Sequence, residues 1–384
     1  MAENYRVLPG YKRFNQKNNT IMRSQWDPHL NSYGERVNRA ISKHIQEGDR
    51  GFDQLDFALY AGSTTVVSSL GTGINRPNSG LTSWEPLRAP ADRSLPSDAG
   101  KFQVQDPARM RETVTKVARF YGADLVGFTE LDERWVYSHH YLPGEGLNPP
   151  VELPEGCREA IVLGVAMDYE MMRTAPTAVM LTETHRNYSR MSMLVGSLAQ
   201  FIRTLGYRAV PCLNDTALNV PLAVDAGLGQ PSRMGLVITP KYGPRVRFCK
   251  VITDLPLGGK KKSLDIGVIR FCEICNRCAE ACPAKAIPEG PRTTEGPNMS
   301  NNHGVLKWYL NAERCRGYFA YLGTNCGICV RACPFNKGKG IHHTIARWMV
   351  KRLPFFNRFL LRLHDWLGYG KQKDPRFFWA RRAA

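Results

Sequence analysis

Eight of the eleven cysteines fall into two runs, Cys272-x2-Cys275-x2-Cys278-x3-Cys282-Pro283 and Cys315-x10-Cys326-x2-Cys329-x3-Cys333-Pro334. A short C-x2-C-x2-C loop places three thiolates around one face of an iron–sulfur cube. A fourth cysteine followed by proline starts a segment that reaches the other cube. Two such runs therefore predict two [4Fe–4S] clusters, close enough to exchange electrons. The competing assignment is structural zinc. Zinc takes four ligands per site, commonly from two separated cysteine pairs, and a tight four-cysteine run ending in Cys-Pro fits it poorly. The crossing rule assigns Cys272, Cys275, Cys278 and Cys333 to one cluster. Cys282, Cys315, Cys326 and Cys329 go to the other. The second run lacks its first closely spaced cysteine, since Gly323 and Thr324 stand there, so Cys315 must arrive from a distance.

The rest of the chain must position this module. At 384 residues, with 43% hydrophobic and 22% charged residues, it is long enough for one large core or two modest ones. No apolar run reaches the length of a membrane span. The N-terminus shows neither a signal peptide nor a twin-arginine pair, which points to the cytoplasm for the chain as written. Removal of a twin-arginine leader would instead put it on the outer face of the inner membrane. The formal charge is +18. Two oxidised cubes, each about −2 with their thiolates, lower this to roughly +14. Such a balance suits an anionic membrane surface or an acidic redox partner. Nucleic acid is excluded as a partner, because the cations are dispersed and no nucleic-acid motif accompanies them. Cys157, Cys212 and Cys249 lie in or beside apolar stretches and read as buried free thiols.

Residues 1–105 are rich in Gly, Asn, Ser and Pro and read as an extended wrap, with one helix near 35–46 and anchors at Trp26, Phe52, Phe57 and Trp84. Asp27-Pro-His29 resembles the start of a D-x-H-x-x-G cobalamin motif. Ser32 stands where its glycine belongs and the remainder is missing, so His29 is set aside. An α/β domain follows over 106–265. Asp106-Pro107 starts a helix that ends near Gly122. Strands are predicted at 124–128, 160–167, 208–212, 235–239 and 245–252, a long helix at 177–205 and a short one at 220–225. Alternation of this kind implies a sheet covered by helices. The cysteine domain occupies 266–340. The segment 341–384 is basic and aromatic, with an amphipathic helix pair over 347–367 broken at Pro354. Its Trp348, Leu353, Phe356, Phe359, Leu360, Leu363 and Trp366 are expected to pack on the core rather than on a membrane.

Several blocks now reach beyond the cysteines. Tyr11-Lys-Arg-Phe-Asn-Gln-Lys-Asn with Trp26-Asp-Pro, and Gly51-Phe-Asp-Gln-Leu-Asp-Phe-Ala-Leu-Tyr60, resemble the N-terminal signature of reductive dehalogenases. Gly206-Tyr-Arg-Ala, Ala226-Gly-Leu-Gly-Gln-Pro-Ser-Arg-Met-Gly235 and Cys249-Lys-Val-Ile-Thr-Asp-Leu-Pro-Leu257 resemble the central blocks. Leu367-Gly-Tyr-Gly-Lys-Gln-Lys-Asp-Pro375 with Phe377-Phe-Trp379 resembles the C-terminal one. The resemblance covers almost the whole chain. It implies a nitroreductase-like α/β domain holding a base-off cobalamin or related corrinoid, with the ferredoxin-like two-[4Fe–4S] domain inserted beside it. The implied reaction replaces a carbon-bound halogen with hydrogen, or eliminates halide. The implied partners are a small organohalide, an electron donor (ferredoxin, flavodoxin or a membrane quinol system) and a small membrane anchor. The chain departs from respiratory members in lacking a twin-arginine leader, and from self-sufficient catabolic members in lacking a reductase extension.

By the same resemblance Tyr188, on the long helix, is the proton donor. The phenolate it leaves needs a cation, and Arg247 is the matching residue. Arg245 shares its strand face at i−2, so the choice between them stays open. Asn214 would hydrogen-bond Tyr188 or the substrate, and Thr184, one turn before Tyr188, would line the substrate pocket. The Gly-rich segment 226–235, with Gly229, Ser232 and Arg233, would approach the corrinoid. The cube held by Cys315 would be the one nearer the corrin. Two other functions compete. An epoxyqueuosine reductase also pairs cobalamin with two cubes, but needs a tRNA-binding surface and a carboxylate donor. A non-catalytic two-cluster electron carrier would not need the long α/β region ahead of the cysteines.

Overall fold

Two nearly continuous apolar segments form the central strands of a four-stranded sheet in the computed structural model, which describes residues 4–70, 73–86 and 100–380. The strands are β1 (Leu125–Glu130), β2 (Glu159–Ala166), β3 (Ala209–Cys212) and β6 (Val246–Thr253), in the order β1-β2-β6-β3 with every pairing antiparallel. The short β4 (Gln230–Pro231) and β5 (Val237–Ile238) form a separate hairpin. The central strands β2 and β6 are buried along almost their whole length, because both faces are covered. Ile161, Leu163, Val165, Cys249 and Val251 point into one core. Ala160, Val162, Val246, Phe248 and Ile252 point into the other. Arg247 has the parity of the first face.

The helices, in chain order, begin with α1 (Thr20–Arg23), α2 (Tyr33–Glu47), α3 (Gln54–Ser69), α4 (Pro107–Phe120), α5 (Tyr169–Arg173), α6 (Ala178–Thr204) and α7 (Asn219–Asp225). Helix α6 covers the first face. Thr177 caps it by accepting from Met180 N, and its Tyr188, Met191, Val195, Leu198 and Ile202 recur at helical spacing in the core. Each fully buried aliphatic side chain of this stripe contributes about 1.5–3 kcal/mol. Helix α7 covers the opposite face.

The N-terminal region holds a second long helix beyond the one expected near 35–46. Helix α3 lies along α6, with Val67 in the core and Ser63 O accepting from Ser189 Oγ. Its entry turn explains the Gly51 block. Gly51 has φ +79°, and an added Cβ would stand 2.7 Å from Pro375 of the C-terminal block. The two end blocks thus meet in space, and Trp379 Nε1 donates to Asp56 at the start of α3.

The cysteine domain is built from α8 (Val268–Ile274), α9 (Arg277–Glu280), α10 (Ala312–Leu322) and α11 (Ile328–Ala332). Helices α12 (Ile341–Arg352) and α13 (Asn357–Trp366) follow, separated at Pro354, and α14 (Phe377–Ala380) ends the described chain. The expected packing of this pair on the core is only partly met. Val350, Leu360 and Leu361 join the cysteine-domain core, whereas Trp348, Phe356, Phe359 and Trp366 are exposed. The helices turn too few of their apolar residues inward to bury both stripes.

Candidate active site and cluster domain

The phenol oxygen of Tyr188, on a buried turn of α6, receives two donors. Asn214 Nδ2 lies at 3.0 Å and Arg247 Nη1 at 3.5 Å, with the guanidinium also 5.3 Å from the Tyr188 ring centroid. Arg247 comes from the middle of the sheet, Asn214 from the turn after β3, and Tyr188 from the helix facing them. Since the oxygen accepts from both neighbours, the phenol's own proton points away from them. His185, one turn before on α6, packs edge-on to Tyr188. Burial, reinforced by the charge of Arg247, holds its imidazole down at about pH 4, so it is neutral near pH 7.

Arg245 goes elsewhere. It donates to Met167 O and Lys337 O, both at 3.1 Å, and sits between the rings of Tyr169 and Tyr242. It precedes β6 and follows the turn rather than the strand face. Thr184 lies on α6 one turn before Tyr188. Its hydroxyl contacts the sulfurs of Met180 (3.7 Å) and Met167 (4.0 Å), in the methionine-rich core beside the cysteine domain.

Two residues not named as site candidates from the sequence fix the amide of Asn214. Lys250 on β6 is fully buried and donates to Leu213 O, Asp215 O and Ala217 O at 2.7–3.0 Å, and to Asn219 Oδ1 at 3.0 Å. Asn219 Nδ2 in turn donates to Asn214 Oδ1 at 3.0 Å. The signal was present in Phe248-Cys249-Lys250-Val251-Ile252, a lysine flanked by apolar residues within the strand. Such a residue is rarely buried without partners.

Beside Asn214 opens a cavity of about 440 Å³. Its wall combines amide and hydroxyl side chains (Asn75, Asn219, Ser232, Asn301) with flat rings (Phe14, Trp135, Tyr137, Trp308). Of the Gly-rich segment, Ser232 reaches this wall, its hydroxyl donating to Leu236 O. Gly229 instead serves close packing, since a Cβ there would stand 2.4 Å from Ile238 O. Arg233 is engaged with the cysteine domain. Its guanidinium is buried and donates to the carbonyls of Cys272, Cys275, Pro288 and Gly290, so it braces the first cysteine loop.

The cysteines gather as two sets. Cys333 lies near enough to Cys272, Cys275 and Cys278 for their charges to act on it, and Cys315 is coupled in the same way to Cys326 and Cys282. Cys329 feels Cys326, Cys315 and Cys282, and also Cys278 of the first set. Burial, then mutual repulsion, pushes the Cys315 thiol up to about 12; burial chiefly does the same to Cys272 and Cys278. Thiols held this high ionise only against a bound cation, as iron ligation requires. Cys157, Cys212 and Cys249 are buried and unpaired.

Comparison with known proteins accords with this arrangement. Residues 153–257 match the family described as reductive dehalogenase subunit, and 271–336 match a 4Fe-4S double cluster binding domain, which includes all eight run cysteines. The chain is 40% identical over 348 residues to a tetrachloroethene reductive dehalogenase of Sulfurospirillum multivorans, covering 84% of this chain and 65% of that one. A tetrachloroethene reductive dehalogenase of Dehalobacter restrictus is 35% identical over 77% of this chain and 60% of its own length. An epoxyqueuosine reductase of Bacillus subtilis is 24% identical over 61% of this chain and 65% of its own length. Among solved structures, a catabolic reductive dehalogenase superposes with a TM-score of 0.72 at 23% identity, covering 96% of this chain and 48% of that one. A structure described as suggesting a mechanism for B12-dependent dehalogenation gives the same values. The chain belongs to the reductive dehalogenase family. It carries the family's fold with a double [4Fe–4S] domain, and it spans just under two thirds of the length of the curated relatives it matches.

Proposed function

We propose that this chain catalyses reductive dehalogenation of a small organohalide. Carbon–halogen cleavage consumes two electrons and one proton, and releases halide. The observation that carries the reading is the Tyr188 oxygen held by Asn214 and Arg247, with Asn214 also lining the cavity. Tyr188 gives its proton to the carbon that loses halide, and Arg247 and Asn214 hold the phenolate that remains. The relatives' names support an organohalide, chlorinated ethenes among them.

The division of labour follows the chain. Residues 106–265 hold substrate and a corrinoid in a nitroreductase-like domain, 266–340 hold the clusters, and 1–105 and 341–384 cover them. The cavity wall of amides, hydroxyls and flat rings suits a large planar ring with amide arms. When bound base-off there, the corrinoid supplies a strongly reducing cobalt centre. Cys272, Cys275, Cys278 and Cys333 ligate one cube, and Cys282, Cys315, Cys326 and Cys329 the other. Ala312, which starts the helix bearing Cys315, lines the cavity, supporting that cube as the nearer one. Electrons come from a ferredoxin, a flavodoxin or a membrane quinol system, and a small membrane anchor is the remaining partner.

Anaerobic turnover of the reconstituted protein on a halogenated panel, scored by halide release, tests this. Absence of release from every chlorinated, brominated and iodinated member would reject it. Epoxyqueuosine reduction is less supported, because among the described residues no carboxylate hydrogen-bonds the Tyr188 oxygen.

A further inference from the structure

The two C-terminal helices carry an apolar stripe that nothing in the described chain covers. On α12, Ile341, Ile345 and Trp348 follow one another at i, i+4 and i+7. Phe355 on the turn, then Phe359 and Trp366 on α13, continue at i, i+4 and i+11. These six side chains are between 53% and 81% exposed. The opposite sides of the same helices are in use, with Val350, Leu360 and Leu361 in the core beneath. Between 341 and 367 stand five cations, Arg347, Lys351, Arg352, Arg358 and Arg362, and one carboxylate, Asp365, which Arg277 of the cysteine domain already pairs.

We propose that this face rests on an anionic lipid surface. Trp348, Phe355, Phe359 and Trp366 enter the headgroup layer and the flanking cations meet lipid phosphates. Aromatic side chains and cations on helices that lie flat are what an interface of apolar depth and charged rim selects. Charge argues against a second copy of the chain, since a two-fold axis would press the same five cations against themselves. An acidic protein would satisfy the cations but offer no apolar layer for four exposed rings. No helix among the described residues is long and apolar enough to cross a membrane, so the contact is interfacial. The core under these helices contains Phe271, Cys272, Cys333 and Phe335. The face would therefore bring the Cys272–Cys333 side of the cysteine domain to the membrane, where a lipid-borne reductant could reach it.

Sedimentation of the full, reconstituted chain with vesicles tests the proposal. The expected result is at least about tenfold stronger partitioning to equimolar phosphatidylglycerol and phosphatidylcholine than to phosphatidylcholine alone, weakened by high salt. The triple variant Trp348→Ser, Phe355→Ser, Trp366→Ser should lose about tenfold or more of that binding. It should keep its iron content, and it should keep its halide release with a soluble reductant. Those two readouts depend on the proposed function and not on the membrane contact. Equal partitioning of wild type to both vesicles, or unchanged binding by the triple variant, would overturn the proposal. So would a wild-type dimer that the triple variant makes monomeric, because the face would then belong to a second copy. Binding to an acidic ferredoxin that the triple variant abolishes, with vesicles ignored, would assign it to a protein partner instead.

Discussion

An asparagine amide can present either end to a neighbour, yet Asn214 has only one useful orientation. Lys250 is a donor without acceptor capacity, so it compels Asn219 to turn its oxygen inward and its nitrogen toward Asn214. Asn214 must then offer its nitrogen to Tyr188. This buried relay keeps the phenol oxygen an acceptor, as the proposed proton-donor role of Tyr188 requires. Tyr188→Phe preserves the ring and its packing but removes that proton, so halide release should fall by about 10²–10⁴-fold with iron and cobalamin contents unchanged. Arg247→Met should do comparable harm, and Arg245→Met much less, since its guanidinium serves Met167 O and Lys337 O. Retention of more than about half the wild-type rate by Tyr188→Phe would move proton delivery to another group, water being the simplest. Asn219→Asp tests the relay itself. One carboxylate oxygen keeps Lys250, but the other faces Asn214 Oδ1 and turns that amide over. The expected loss is about tenfold to a hundredfold in kcat with little change in KM. An unaltered kcat would show that Asn214 is oriented by something else.

At the scale of elements, legibility followed periodicity. The strand around β2, the helix from Thr177 to Leu205 and the helix opened by Asp106 each carry a strong apolar pattern, the two helices with a capping residue at their start, and all three appear within a residue or two of expectation. Helix α3 was missed because its apolar residues are spread around its circumference and its second half is rich in Ser, Thr and Val. Tertiary packing on α6 overrides weak local preference there. Tyr188 and Arg247 could be paired only through resemblance, since the helix and the strand that bring them together lie about sixty residues apart in the chain. The contacts of Thr184 with Met180 and Met167, and of Arg233 with the first cysteine loop, were not legible, because sequence spacing gives a face but not the neighbour that face meets. The loop after β1 was silent in the sequence and holds a measurable latch. Burial alone would raise the Asp132 carboxyl, but hydrogen bonds from Arg134 and Lys261 outweigh it and hold it down at about 2. A carboxyl depressed in the folded state stabilises above its unfolded value near 4, and that contribution is lost as pH falls toward 2. Asp132→Asn should therefore cost roughly 1 kcal/mol at neutral pH, allowing for solvent screening of its half-exposed partners, and progressively less below pH 4. Urea unfolding at neutral and acid pH measures this. An equal cost at both would mean that the latch acts through shape and not charge.

Across the whole molecule, burial raises the thiols of Cys272, Cys275, Cys278, Cys315, Cys326, Cys329 and Cys333, so their ionisation needs the bound cation that iron ligation supplies. The first set is buried against Phe271 and braced by Arg233, while the second reaches toward the cavity through α10. Cys329 of the second set lies within electrostatic reach of Cys278 of the first, so the two sets adjoin. On the proposed function, electrons would pass from the surface beneath α12 and α13 through both cubes to the cavity beside Asn214. Anaerobic reconstitution should accordingly yield about eight iron and eight sulfide per chain. Cys315 is the informative position, because it joins its set from α10, outside the tight cysteine loops. Cys315→Ala should remove one cluster's EPR signal and leave the other, with halide release lost because the remaining cube lies on the far side of the break. A protein holding about four iron per chain before mutation would reject two clusters. Equal damage to both signals in Cys315→Ala would reject the division of the cysteines into these two sets, since a ligand missing from one cube should leave its neighbour's four thiolates in place.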